Sequence, residues 1–272
     1  MSSSANAPIG IFDSGIGGLT VVKAVIEKLP NENIVYYGDT ARVPYGIKSI
    51  TTVREYALQI TDFLLSQNVK AVLIACNTVS AAANEEVRAR CGDIPVLDVV
   101  DAGTQAALEV EAKSRSIGVI GTLATINSQT YERAILGFDA GKRVFSKACP
   151  MLVPLAEEGW ISNEISRLTV HEYLQDFRDK DLDALILGCT HYPLFKPEIE
   201  DYLKESGTKV IDSALSIATK TEAMLAELGI LNPDEQTGSF TCYVSDKPQR
   251  FQILAERFLG KKLNRIEISP LL

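Results

Sequence analysis

The sequence predicts an α/β fold of two pseudo-symmetric domains, each a mostly parallel sheet flanked by helices. Three observations carry this. Short apolar runs alternate with helical patterns, the order that builds βαβ units. Most runs are rich in Val, Ile and Leu with no polar alternation, as strands covered on both faces require. Finally, two stretches repeat: Val69–Thr78 aligns with Leu182–His191, and Ile9–Ser14 aligns with Ile117–Thr122. The offsets are 113 positions for the first pair and 108 for the second, close enough to imply two related halves.

Taken in order, the first strand is Pro8–Phe12, followed by the Gly-rich turn Asp13–Gly18 and an amphipathic stretch at Gly18–Lys28. Strand Asn33–Tyr37 leads into Gly38–Gly46, a loop rich in turn formers, and then into the helical pattern Ile50–Gln67. Strand Ala71–Ala75 runs straight into Cys76-Asn77-Thr78, ahead of a helical stretch at Val79–Arg90 and a strand at Pro95–Val99. In the second half, Ile117–Gly121 mirrors the first strand, and Ala184–Gly188 ends in Cys189-Thr190-His191 as its counterpart ends in Cys76. Strands Lys209–Asp212 and Phe240–Val244 close the series; periodicity leaves open whether they extend the second half or return to the first.

Composition narrows the function classes. The 272 residues carry a net charge of −8, which argues against nucleic acid or an anionic membrane as a partner, since either needs a basic face. No run approaches the ~20 apolar residues that span a bilayer. Met1–Pro8 has neither the charged nor the apolar region of a secretory signal. Five cysteines, an odd number with no CxxC pair, read as reduced thiols of a cytoplasmic protein.

In open parallel sheets, ligands bind beyond the carboxyl ends of strands. Asp13-Ser14, Cys76-Asn77-Thr78 and Cys189-Thr190-His191 all fall at such ends. If the halves face each other across a cleft, pseudo-symmetry sets the two thiols on opposite walls. Two opposed thiols suit inversion of a carbon centre, where one group removes a proton from one face and the other returns one to the opposite face. With each thiol at a near-attack distance of roughly 3–3.5 Å, the sulfurs belong about 7 Å apart. A free thiol is a few per cent ionised at neutral pH, and a helix N-terminus or an imidazolium raises that fraction. A lone strand-end cysteine is ordinarily a small inert hydrophobe, the reading that stands for Cys91, Cys149 and Cys242.

The remaining candidates are weighed locally. Asp13 reads either as an N-cap or as a partner for an ammonium group or a thiol. A dinucleotide fingerprint fails because Thr20 stands where the last glycine is needed, and there is no phosphate-loop motif. His191 is expected to tune the second thiol or to carry a proton. A zinc site is not expected, because Cys189 and His191 lack two further ligands at usual spacing. The loop Gly38–Gly46 is a plausible wall, with the Gly46 amide able to meet a carboxylate. Glu157-Glu158 reads locally as an acidic first helical turn.

Four motifs then stand in register: Asp13-Ser14-Gly15-x-Gly17-Gly18-Leu19-Thr20-Val21, Tyr37-Gly38-Asp39-Thr40-Ala41-Arg42-x-Pro44-Tyr45-Gly46, Ala75-Cys76-Asn77-Thr78 and Gly188-Cys189-Thr190-His191-Tyr192-Pro193-Leu194. Together they resemble the glutamate racemase family. The resemblance implies a cofactor-independent isomerase of L- and D-glutamate that supplies D-glutamate for peptidoglycan, with the active site in the cleft between the domains. It implies catalytic Cys76, acting on D-glutamate, and Cys189, acting on L-glutamate, aided by Asp13 and His191 respectively, with Glu157 as a further acidic residue. It implies substrate contacts from Asp13, Ser14, Tyr45, Gly46, Asn77, Thr78, Thr190 and His191. It also implies a first domain of residues 1–100 completed by 212–272, a second of 101–211, no metal, and a homodimer. Rival readings are an aspartate or related racemase, a hydrolase with Cys189 as nucleophile and His191 as base, and a non-catalytic amino-acid-binding module. The hydrolase is disfavoured because residues two apart on a strand end tend to point differently.

Overall fold

Among the described residues every strand pairing is parallel, and the strands form two sheets. A computed structural model describes residues 5–111, 115–246, 251–263 and 265–271 of the chain. Residues 1–4, part of the stretch read as lacking a secretory signal, lie outside the described residues. The chain divides into two compact units, Met1–Val99 with Ile217–Leu272, and Val100–Ser216.

The first unit begins with β1 (Ile9–Asp13), α1 (Leu19–Lys28), β2 (Ile34–Gly38), α2 (Ile50–Ser66), β3 (Ala71–Ile74), α3 (Asn77–Cys91) and β4 (Val96–Asp98). After α4 (Val99–Leu108), the second unit holds β5 (Ser116–Gly121), α5 (Leu123–Asn127), α6 (Thr130–Phe138), β6 (Arg143–Ala148), α7 (Leu152–Glu158), α8 (Glu164–Leu174), β7 (Ala184–Gly188), α9 (Lys196–Leu203) and β8 (Lys209–Asp212). The chain leaves it through α10 (Ser213–Glu227) and adds β9 (Phe240–Val244), α11 (Phe251–Leu259) and β10 (Ile266–Ile268) to the first sheet.

Strand order is β10-β9-β2-β1-β3-β4 in the first sheet and β6-β5-β7-β8 in the second. Removing the two returning strands leaves one pattern in both: second strand, first, third, fourth. The sequence repeat is thus a repeat of topology, with β1 matching β5 and β3 matching β7. In each sheet the chain reverses direction of travel between its first and third strands, the switch point at which open α/β sheets bind ligands.

The strands at the switch points are apolar because they have no solvent face. Every residue of β1, β3, β5 and β7 is buried. Around the first sheet, Phe12, Val72 and Ile74 pack with Val53, Ile60 and Leu64 of α2 and Val79 and Val87 of α3. Around the second, Ile117, Val119 and Ile186 pack with Tyr131 and Ile135 of α6.

Two strands were not expected. β6 is an edge strand whose residues are all half-buried or exposed, so Arg143-Val144-Phe145-Ser146-Lys147-Ala148 lacks an apolar run. β10 is three residues at the edge of the first sheet. Glu157 also corrects its local reading: it lies in the last turn of α7, ahead of the left-handed Gly159, and not in a first turn.

Candidate active site

The parallel register delivers the polar residues to one edge of each sheet. Asp13 pairs with Gly38, and Gly38 with Val244, so Ser14, Asp39 and Ser245 leave their strands at the same level. Cys76 follows β3 by two residues, after Ala75 N–H has continued the ladder to the Phe12 carbonyl at 2.9 Å. In the second sheet Gly121 pairs with both Ala148 and Gly188, so Thr122, Cys149 and Cys189 emerge together.

In the first unit, the turn after β1 folds around the Asp13 carboxylate. Its Oδ2 accepts the Gly15 N–H at 3.1 Å and the Gly18 N–H at 3.0 Å. Only glycine fits at 18, where a Cβ would come within 2.5 Å of the Asp13 Cβ. Tyr36, fully buried on β2, donates its hydroxyl to the Gly15 carbonyl at 2.8 Å and fixes the turn from the sheet side. Asp13 is therefore not the N-cap residue of α1; Gly18 occupies that position without a side-chain cap.

Cys76 stands immediately before α3, with buried Asn77 and Thr78 in the first turn behind it. Its thiol donates to Ser14 Oγ at 3.4 Å. Burial pushes this thiol up to about 12, and the nearby Asp13 carboxylate pushes the same way. Hydrogen bonds from the Ser14 side chain and from the backbone of Val79 and Ser14 pull it down and do not win. Desolvation outweighs these hydrogen bonds, and Cys76 holds its proton at neutral pH.

Tyr45 and Gly46 belong to a 3-10 turn, Tyr45–Ile47, entered through the cis peptide Val43-Pro44. Tyr45 is buried and its hydroxyl donates to Asp39 Oδ2, while Gly46 is half-buried. Burial, followed by the Asp39 carboxylate, raises the Tyr45 phenol well above its ordinary value.

In the second unit, Cys189 follows β7 and leads through Thr190 and His191 into a short 3-10 turn, Tyr192–Phe195. The repeat is imperfect here, since Cys76 opens a helix of 15 residues. Cys189 Sγ lies 3.9 Å from His191 Nδ1, and His191 Nε2 lies 3.1 Å from Glu157 Oε1. The three form a chain of sulfur, imidazole and carboxylate. Burial alone would lower the His191 value, but hydrogen bonds to Cys189 and Glu157 more than reverse this and carry it up to about 10. The assumption that residues 189 and 191 point apart is overturned. No regular strand or helix continues past Gly188, so the backbone turns and brings the imidazole back over the sulfur. Tyr192, fully buried, donates to the carbonyls of Gly121 and Cys149 at 2.9 and 2.8 Å and holds this edge as Tyr36 holds the other.

The expected residues thus gather into one set per unit. Asp13, Ser14, Tyr45, Gly46, Cys76, Asn77 and Thr78 lie in the first, and Glu157, Cys189, Thr190 and His191 in the second. All five cysteines are free and buried. Burial pushes Cys91 up to about 11 and Cys149 and Cys242 up to about 12, consistent with inert thiols. Among the described residues no cluster of His, Cys, Asp and Glu could hold a metal ion, and no helix is long and apolar enough to cross a membrane. Sequence reasoning gave no role to Tyr36, Tyr192, Asp39 or Ser245. The first three lie inside or beside quoted motifs, whereas Ser245 carries no local signal.

Residues 9–221 match the family model of Asp/Glu/Hydantoin racemases. The chain belongs to this family. Within the Asp/Glu/Hydantoin racemases it is similar to glutamate racemase of Neisseria meningitidis serogroup A, at 49% identity over 97% of each chain. The glutamate racemase of Syntrophus aciditrophicus is 50% identical, over 96% of this chain and 95% of that one. Among solved structures, glutamate racemase from Francisella tularensis in complex with D-glutamate superposes with a TM-score of 0.92, at 43% identity and 98% coverage of both chains. The motifs that carried the resemblance to this racemase family therefore extend into whole-chain likeness.

Proposed function

We propose that this racemase interconverts L- and D-glutamate by a two-base mechanism in which Cys76 and Cys189 act on opposite faces of one α-carbon. The observation that carries the reading is the paired placement of these thiols, each just past the third strand of its sheet and each in polar company. Their surroundings differ. Cys76 is protonated at neutral pH and set to donate. Cys189 faces an imidazole that Glu157 helps keep protonated up to about pH 10. In this reading the Cys189 sulfur, 3.9 Å from the His191 imidazole, accepts the α-proton of L-glutamate. Cys76 returns a proton to the other face, and D-glutamate is processed by the same steps reversed.

Backbone amides at the starts of helices and turns, with Ser14, Asn77, Thr78 and Thr190, are suited to carboxylate oxygens and to the charge that spreads onto the α-carboxylate in the transition state. Asp13, Tyr45, Gly46 and His191 complete the proposed substrate contacts. No prosthetic group is required by these steps. The product is a D-amino acid of the kind built into peptidoglycan, and the proposed setting is the cytoplasm, with the enzyme as a homodimer.

The 3.9 Å contact between Cys189 and His191 also fits a nucleophile and its base, the hydrolase reading. One assay separates the two. Incubating the protein with L-glutamate in D₂O, with no added cofactor, is expected to yield D-glutamate carrying deuterium at the α-carbon. Absence of α-deuterium in glutamate, with ammonia released from the side-chain amide of L-glutamine, would instead establish hydrolysis, and L-aspartate turning over faster than glutamate would move the substrate class.

A further inference from the structure

The loop that bears Tyr45 and Gly46 is built around one buried carboxylate, Asp39, which follows β2 and is fully shielded from solvent. Three side chains converge on it. Arg42 Nε donates to Oδ2 at 2.6 Å, the Tyr45 hydroxyl donates to the same oxygen, and Ser245 Oγ donates to Oδ1 at 2.8 Å. Ser245 Oγ in turn accepts the Ala41 N–H at 2.8 Å, so one hydroxyl bridges the carboxylate and the loop backbone. Arg42 compensates the buried charge, its guanidinium lying 3.9 Å over the Tyr56 ring, which itself packs on Tyr45 with centroids 5.6 Å apart.

We infer that Asp39, held by Arg42 and by Ser245 just past the returning strand β9, is a positioning residue that fixes the Tyr45-Gly46 turn for its substrate. The inference rests on the proposed contact between that turn and glutamate. Tyr45 is the buried anchor of a turn whose neighbour Ile47 is 78% exposed, so the turn's position depends on what holds the Tyr45 ring and hydroxyl. The hydroxyl's partner is an acceptor only, and the second acceptor oxygen is oriented by a side chain 206 positions away in sequence. A binding turn held by charge-assisted bonds meets the ligand without first being ordered, and that pre-ordering shows in affinity.

The test is steady-state racemisation by the full chain carrying Ser245→Ala, Tyr45→Phe or Asp39→Asn. Ser245→Ala touches no proposed substrate contact and removes one methylene-sized polar group, so it is the variant expected to fold as the parent does. All three are expected to raise KM for glutamate about tenfold with kcat kept within about threefold, the pattern of lost ground-state binding. Ser245→Thr, which restores the hydroxyl, is expected to return KM toward the parent value. An unchanged KM in folded Ser245→Ala and Asp39→Asn would overturn the inference, as would a fall in kcat alone or a lower melting temperature with unchanged kinetics. Failure of the parent enzyme to racemise glutamate would instead count against the proposed function, so the two failures are distinguishable.

Discussion

At the scale of single residues, the two cysteines are distinguished from the other three by their neighbours and not by their burial, which all five share. Cys76→Ser and Cys189→Ser are each expected to reduce glutamate racemisation by about 10²–10⁴-fold or more, since under the proposed mechanism each removes a positioned acid–base group. Full activity in either variant would remove that thiol from the mechanism. Because the two enantiomers have equal free energy in water, any substitution must change kcat/KM equally for both, which gives an internal check on every variant. His191 offers a second measurement. With only two histidines in the chain, its imidazole can be followed by NMR, and its titration is expected near pH 10, falling in Glu157→Gln. Since the folded value lies above the ordinary value of about 6.5, the imidazolium's contribution to stability is complete below that pH and is lost as pH rises through about 10. A midpoint near 6.5 would show that Glu157 and Cys189 do not hold the proton. The cysteines, Asp13 and His191 were legible in the sequence because they sit directly after apolar strands. The protonated state of Cys76 was not, because desolvation depends on what the fold stacks above the sulfur.

At the scale of elements, the sheet edges are shaped by residues that lack a side chain as much as by those that have one. A Cβ at Gly38 would lie 2.3 Å from the Gly15 carbonyl oxygen, a backbone atom that cannot swing aside. Gly38→Ala is therefore expected to destabilise the protein by about 1–3 kcal/mol and to lower activity with it, because the turn around Asp13 has to move. A urea unfolding midpoint equal to that of the parent would refute this. A Cβ at Gly10 would instead meet the flexible ends of Val69 and Leu64, where a small shift suffices. Strands at the switch points were readable from composition, since burial on both faces leaves apolar residues throughout β1, β3, β5 and β7 except at Asp13 and Ser116, which stand at strand ends. The edge strands β6 and β10 were not, because a half-solvated strand need not be apolar and its pairing comes from a neighbour distant in sequence. Glu157 was misplaced within its helix for a related reason: an acidic pair says nothing by itself about which end of a helix it occupies.

At the scale of the whole molecule, the first unit is assembled from both ends of the chain, and one buried ion pair ties them. Lys70, with no solvent exposure, meets Glu32 at 2.5 Å and donates to the carbonyls of Ala5 and Ile230. Glu32 also accepts the Asn232 N–H at 2.8 Å. Lys70→Met is expected to cost about 3–5 kcal/mol, because Glu32 would be left as an uncompensated buried charge, and adding Glu32→Gln is expected to recover part of the loss. Equal unfolding free energies for the parent and Lys70→Met would show that the tie is not required. The internal repeat was visible from the sequence as two cysteine-ended strands, and it reappears as a common strand order. The destination of the last strands was invisible to periodicity, which reports a strand's faces and not its partner.

That destination has a consequence for how the protein is made. Strand β2 gains its outer neighbour only when residues 240–244 have been synthesised, and the carboxylate beside its end gains the Ser245 hydroxyl at the same moment. During translation, a ribosome-bound chain already holding both thiols still presents an unpaired sheet margin and a loosely held loop. A chain stopped before β9 carries Cys76 and Cys189 without the outer neighbour of β2 and without the Ser245 hydroxyl on Asp39.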